Sequence, residues 1–395
     1  MNIFKGNKSL FVIALIAVVN ALGYGIIIPI LYSYSQKFGL SDFQNGLLFA
    51  SFSICQFVAT PVIGRLSDKY GRRPLLIIAM LGSMASFVMT AFAPAGWILF
   101  IARGLDGITA GNIPVALAVI SDTTEAKDRA KGFGIIGAAF GFGFIFGPAI
   151  SALTVQYADW LPFIIAAVLA GLAALVTFLF LPETNKHIGQ VVHGRLFDMK
   201  RLVHMLKDDA VGTTLLITLV YSTAFSMFIY GFQPFSVKVL KLSANYISTI
   251  FTLFGVVGVV TQIIILPFMT KKFGIKHFFS TSLLLVAGGL FALFLTKDFI
   301  SFVVVSILLG VANSSVTPLI QTIISRETDA KSQGSIQGLN TSYQSIGQIL
   351  GPAVGGILAT FSTQYPFMIG SILGIFCVVF SFRVLRPGAR KESAF

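Results

Sequence analysis

Runs of about 20 apolar residues recur along the whole chain, separated by charged or Pro- and Gly-rich stretches. Each run is as long as a helix must be to cross a hydrocarbon core ~30 Å thick. Hydrophobic residues make up 55% of the chain and charged residues 11%, and the mean hydropathy is +0.87. Soluble domains hold roughly 45–50% apolar and ~25% charged residues. The runs therefore span a bilayer, and the expected fold class is an all-α integral membrane protein.

Twelve helices are expected, near residues 10 to 32, 44 to 64, 74 to 93, 97 to 120, 131 to 155, 161 to 181, 211 to 234, 245 to 268, 277 to 296, 299 to 322, 335 to 360 and 366 to 385. Lys5 and Lys8 precede the first run, which is too long for a secretory signal and lacks a small-residue cleavage site; it reads as a retained helix. The net charge of +13 does not point to nucleic acid, because the basic residues lie between apolar segments and not on a soluble face. It sets orientation instead. With both termini in the cytoplasm, 23 of the 28 Lys and Arg residues fall on the cytoplasmic side, the bias that fixes topology in a cell membrane. Cys55 and Cys377 lie in separate spans with no CxxC or Cys/His spacing, so neither a disulfide framework nor a metal site is expected.

The chain repeats itself. Pro114 recurs as Pro318, Ser121 as Ser325, Gly147-Pro148-Ala149 as Gly351-Pro352-Ala353 and Pro162-Phe163 as Pro366-Phe367, each 204 positions later; Gly71 recurs as Gly274, one residue short of that offset. Two six-helix halves are expected, 1–181 and 210–395, joined by a cytoplasmic linker at 182–209 that carries Lys186, Arg195, Lys200, Arg201 and Lys207. Transporters built from parallel repeats place the substrate near the bilayer midplane between them.

Gly64-Arg65-Leu66-Ser67-Asp68-Lys69-Tyr70-Gly71-Arg72-Arg73 falls between the second and third helices. Gly64 permits a close backbone approach, Gly71 supports a turn that other residues resist, and Asp68 can pair with nearby cations or face a helix N-terminus. A basic loop that merely sets topology would need neither the aspartate nor the glycines. The decapeptide matches every position of G-x-L-[SA]-D-[RK]-x-G-[RK]-[RK], and on it the chain resembles the major facilitator superfamily. The resemblance implies twelve transmembrane helices in two pseudo-symmetric six-helix bundles. It also implies that Gly64, Asp68, Gly71, Arg72 and Arg73 latch the cytoplasmic side in the outward-facing state. The second-half copy, Pro267 to Lys276, keeps Gly274 but has Lys271 where Asp68 aligns.

Arg103-Gly104-Leu105-Asp106-Gly107 lies on the fourth helix. Counted from Trp97 at ~1.5 Å per residue, Arg103 is about 9 Å and Asp106 about 14 Å deep. Being three apart they share a face, so one reading is a static ion pair that holds the helix in its bundle. The other is a coupling site, the default for ionisable groups at that depth. The segment resembles the R-x-x-Q-G motif of drug/proton antiporters, with Asp106 where Gln is usual. The depth favours coupling over static pairing, with Asp106 expected as the proton site and Arg103 as its modulator.

On the fifth helix, Gly143 and Gly147 lie on one face and allow tight packing, while Pro148 removes a backbone hydrogen bond and favours a kink. The segment resembles the antiporter motif G-x-x-x-G-P-x-x-G-G, with Ser151 and Ala152 replacing the last two glycines; the eleventh helix carries the fuller form, from Gly347 through Gly351 and Pro352 to Gly356. Small-xxx-small spacing is also ordinary in membrane bundles. Gly23-Tyr24-Gly25-Ile26-Ile27-Ile28-Pro29 resembles the first-helix segment of drug-efflux members. The overall resemblance is to the twelve-helix, tetracycline- and multidrug-efflux-like branch, and it departs from that branch's membrane acids at Asn20, Ser86 and the stretch around Ala287.

Asn20, Tyr24, Asn112, Tyr230, Gln233, Gln262, Asn313, Asn340 and Gln344 are candidates to line a substrate cavity. Each is equally able to hydrogen-bond a neighbouring helix for ~0.6–2 kcal/mol. The leading expectation is a monomeric secondary transporter, coupled to a proton gradient and using no cofactor, that expels a moderately hydrophobic, drug-like small molecule by alternating access. The alternative is a facilitator or proton symporter for a polar metabolite such as a sugar, which the neutral cavity residues permit. No enzyme is expected: His187, His193, His204 and His277 fall in loops or at a helix end, and no HExxH, GxSxG or paired intramembrane acid is present.

Overall fold

The computed structural model describes residues 8–124, 129–185, 188–189, 199–206, 208, 211–329 and 332–385. Lys5, Lys186, His187, His193, Arg195 and Lys207 lie outside them. All regular structure among the described residues is helical. A helix satisfies its backbone N–H and C=O groups within its own segment, which a lipid environment demands.

Among the described residues, twelve helices of 17 residues or more follow one another: α1 (Lys8–Ile27), α2 (Asp42–Tyr70), α3 (Arg72–Ala91), α4 (Gly96–Thr123), α5 (Arg129–Thr154), α6 (Leu161–Phe180), α7 (Gly212–Lys238), α8 (Ala244–Phe273), α9 (Ile275–Leu295), α10 (Phe299–Glu327), α11 (Gln333–Phe361) and α12 (Tyr365–Ser381). Ten are long and apolar enough to cross a membrane. Of the other two, α12 is 17 residues long and α11 carries Gln337, Asn340, Thr341, Gln344 and Gln348 along its length.

Contacts divide the chain into two compact units. One holds residues 1–40, 51–197 and 242–255; the other holds 41–50, 198–241 and 256–395. In the first unit α1 packs on α5 and α3 on α6; in the second α7 packs on α11 and α9 on α12. Glycines set the closest approaches. A Cβ at Gly147 would lie 2.7 Å from the Gly25 Cα, and one at Gly351 would lie 2.6 Å from the Ser226 Cβ. These helices touch backbone to backbone, as small-residue interfaces allow. Ser151, where the resembled motif has glycine, donates to the Ile26 carbonyl at 2.6 Å and ties α5 to α1.

Several helix ends differ from the expected ones, each for a local reason. Helix α1 stops at Ile27, ahead of a turn at residues 28–30. Pro29 has no N–H to continue the ladder. Helix α2 runs on to Tyr70, so the segment expected to be a loop is the last two turns of α2, one Gly71 turn and the first turn of α3. Gly71 adopts φ 101°, ψ 157°, and its repeat partner Gly274 adopts φ 76°, ψ 156°, in the same kind of turn between α8 and α9. Gly64 does not serve a close approach: among the described residues nothing lies within 4 Å of where its Cβ would be.

Helix α4, expected to be continuous, is interrupted at Gly111 and Asn112 and restarts at Ile113. Pro114 has no N–H for the Ala110 carbonyl. That carbonyl accepts from Gln56 Nε2 at 3.3 Å instead. Helix α8 passes through a π-helical stretch, Thr261–Ile265, just before Pro267. There the Leu266 N–H reaches the Thr261 carbonyl, and the altered register absorbs the proline's missing donor.

Candidate functional site

The first unit encloses a cavity lined by Val19, Asn20 and Tyr24 of α1, Phe52 of α2, Ser83 and Phe87 of α3, and Asp106 and Ala110 of α4. Its empty volume, counted out to its open mouth, is about 330 Å³. Asp106 stands at its wall, and Arg103 is its ion-pair partner. Both are buried, at 2% and 7% exposure, and Arg103 Nη1 donates to Asp106 Oδ2 at 2.9 Å. The Arg103 guanidinium lies 4.4 Å from the centre of the Phe52 ring, whose face adds a second attraction for the cation. Among the described residues, Arg103 Nε has no protein acceptor. Two opposite charges out of water hold each other strongly, and removing either leaves the other uncompensated.

Neighbouring polar groups brace the pair. Thr109 Oγ1 donates to the Asp106 carbonyl at 3.0 Å and lies 2.9 Å from Ser83 Oγ, linking α4 to α3. Asn20 Nδ2 donates to Asn112 Oδ1 at 2.9 Å. Asn112 is fully buried behind the lining rather than on it. The Tyr24 ring lies about 6 Å from the rings of both Phe52 and Phe144. The cavity thus joins one carboxylate to an aromatic wall.

The other polar candidates belong to the second unit and do not join this cavity. Tyr230 is buried and donates to the Asp42 carbonyl; Gln233 is buried; Asn340 Oδ1 accepts from Thr218 at 2.8 Å, and half-buried Asn313 accepts from Tyr221. Gln262 is exposed on the π-helical stretch and Gln344 is half-buried.

At the α2–α3 turn, Arg72 Nη1 lies 2.6 Å from both Asp68 Oδ1 and Ser67 Oγ, and its Nε lies 3.4 Å from Asp122 Oδ2 at the end of α4. Arg73 donates to the Phe178 carbonyl at 2.6 Å and rests 5.4 Å from the Phe178 ring centre. Two residues of this cluster escape a reading of the sequence: Asp122, and Glu183 just past α6. Their signal is a carboxylate at the same end of a span as the basic turn, 50 and 111 positions from Arg72.

The profile of the Major Facilitator Superfamily matches residues 13–237 and, a second time, 214–395. The chain belongs to that superfamily. This chain is 30% identical to multidrug resistance protein 1 of Bacillus subtilis (strain 168), over 93% of its own length and 94% of that protein's. It is also 30% identical to the class C tetracycline resistance protein of Escherichia coli, covering 98% of each chain. Its fold superposes on a crystal structure of a D-xylose-proton symporter with a TM-score of 0.78, at 18% identity and over 96% of this chain and 98% of that one. It is therefore a multi-pass membrane transporter of small molecules and not an enzyme.

Proposed function

We propose that the protein is a proton-driven exporter of moderately hydrophobic, drug-like molecules that works by alternating access, as a monomer in the cell membrane with both termini in the cytoplasm. The observation that carries the reading is Asp106 at the wall of an aromatic cavity, paired with the buried Arg103. A carboxylate that is charged in one state of the cycle and protonated in another changes its hold on Arg103 and on any bound molecule, and this difference is what couples two fluxes. The names of the relatives, resistance proteins for several drugs and for tetracycline, support export of drug-like compounds. Asp68, Arg72 and Arg73 act in this reading as the cytoplasmic latch, and the glycines of α5 and α11 let tightly packed helices move as units. The likeness to a sugar symporter is one of fold, so it adds little support for a polar metabolite.

The test begins with thermal stabilisation of the purified protein by ethidium, tetracycline, a fluoroquinolone and D-xylose, since a binder of the folded state raises apparent stability by mass action. Labelled hits are then followed in intact cells. An exporter lowers their accumulation; stabilisation by D-xylose alone, with raised accumulation, would replace this reading by the symporter one.

A further inference from the structure

We infer that Glu183 is a positioning residue of the transport cycle, which holds the latch turn in register and ties it to the start of the linker between the halves. The inference rests on the latch reading of Asp68, Arg72 and Arg73. A helix begins with N–H groups that have no partner in the helix itself, and a negative charge there also meets the positive end of the helix dipole. Helix α3 has Gly71 at its N-cap, which offers no side chain. Glu183 supplies the missing acceptors from 111 positions away: Oε1 accepts from the Arg72 N–H at 2.9 Å and Oε2 from the Arg73 N–H at 3.1 Å. Its Oε1 also accepts from the backbone N–H groups of Thr184 and Asn185, at 3.0 and 2.9 Å.

Three further contacts make this more than a helix cap. A Cβ at Gly71 would stand 2.8 Å from the Glu183 carboxyl carbon, so the carboxylate fills the space that glycine leaves. Asn185 Nδ2 donates to the Asp68 carbonyl at 2.9 Å, and Thr184 Oγ1 reaches Asp122 Oδ2 at 3.5 Å. Residues 183–185 therefore touch the last turn of α2, the turn, the first turn of α3 and the end of α4. With the turn held so, Arg72 falls four residues from Asp68 and meets it at 2.6 Å. Asn185 and Glu183 thus both bear on the Asp68–Arg72 pair, one through the Asp68 carbonyl and the other through the Arg72 N–H.

The test uses the full-length protein in lipid nanodiscs, with Cys55 and Cys377 replaced by Ser and spin labels at positions 11 and 273. The distance distribution is measured for the parent, Asp68→Asn, Glu183→Ala, Glu183→Gln and the Asp68→Asn/Glu183→Ala double variant. Expected is a several-fold rise in the longer-distance population for both single changes and no further rise in the double variant, because groups acting in one unit are not additive. Glu183→Gln, which keeps one acceptor oxygen, falls between parent and Glu183→Ala and stands in if the alanine variant does not fold. Amide exchange over 71–76 rises at least tenfold in Glu183→Ala. A parent-like distribution in the Glu183 variants while Asp68→Asn shifts it overturns the role of Glu183 and leaves the latch standing. A double variant shifted by the product of the single effects does the same. A parent-like distribution in Asp68→Asn overturns the latch and the inference with it.

Discussion

At the scale of single residues, what decides an outcome is whether a neighbour can give way. Gly147 faces backbone, with the Gly25 Cα and carbonyl carbon 2.7 and 2.8 Å from where a Cβ would sit. Gly64 faces open space. Gly147→Ala is therefore expected to lower stability by about 1–3 kcal/mol, as overpacking does, while Gly64→Ala leaves it unchanged; thermal unfolding in one detergent separates them. The spacing of Gly143 and Gly147 made this contact legible in the sequence, because a helix repeats its face every three to four residues. The same logic paired Arg103 with Asp106. It failed for Gly64, because a family pattern names a residue without its neighbours. It also could not find Glu183, whose partners come from a turn 111 residues earlier that only folding brings near.

At the scale of elements, turns and breaks do what periodicity does not announce. Gly71 and Gly274 occupy a backbone region that L side chains avoid, at a cost of order 1–3 kcal/mol. Both Gly71→Ala and Gly274→Ala are expected to destabilise the protein. The loss at Gly71 is the larger, because its Cβ also meets the Glu183 carboxylate, whereas the one at Gly274 meets nothing described. Paired melting curves test the ranking. At the start of α10, Asp298 accepts from the Ser301 N–H at 2.9 Å and from its hydroxyl at 2.7 Å, and these bonds hold its carboxyl below the ordinary range. A depressed carboxyl contributes its stability above the unfolded value, ~3.9, and loses it as pH falls through the folded one. The melting temperature of Asp298→Asn is expected to lie below that of the parent by a constant gap from pH 7 to about 5, closing below about pH 4. The twelve spans were readable because apolar length is a local property of the sequence. The break in α4 was not, although Gly111 and Pro114 mark it, because Gln56 on another helix makes the interruption tolerable.

At the scale of the molecule, the second unit is fastened in part by an ion pair between residues 196 positions apart. Asp42, 6% exposed at the start of α2, meets Lys238 at the end of α7 at 2.7 Å, and Tyr230 donates to the Asp42 carbonyl. The carboxylate is the buried partner and the ammonium is 44% exposed. Lys238→Met is thus expected to cost about 1–3 kcal/mol, more than Asp42→Asn, and the Asp42→Asn/Lys238→Met double variant recovers part of the loss; a thermal double-mutant cycle measures it. Large apolar side chains such as Ile263, Leu153 and Phe361 stand 65–76% exposed, as a surface solvated by lipid requires. In the proposed function, Asp106, the acid of the α4 pair, carries the proton. The most direct test is transport of a labelled compound that stabilises the protein, in proteoliposomes with an imposed pH gradient, for the parent, Asp106→Asn and Asp106→Glu. The parent and Asp106→Glu are expected to accumulate the compound uphill, while folded Asp106→Asn exchanges it downhill and gains nothing from the gradient. Uphill accumulation by Asp106→Asn at the parent's level would contradict the account and leave the Arg103–Asp106 pair a structural tie.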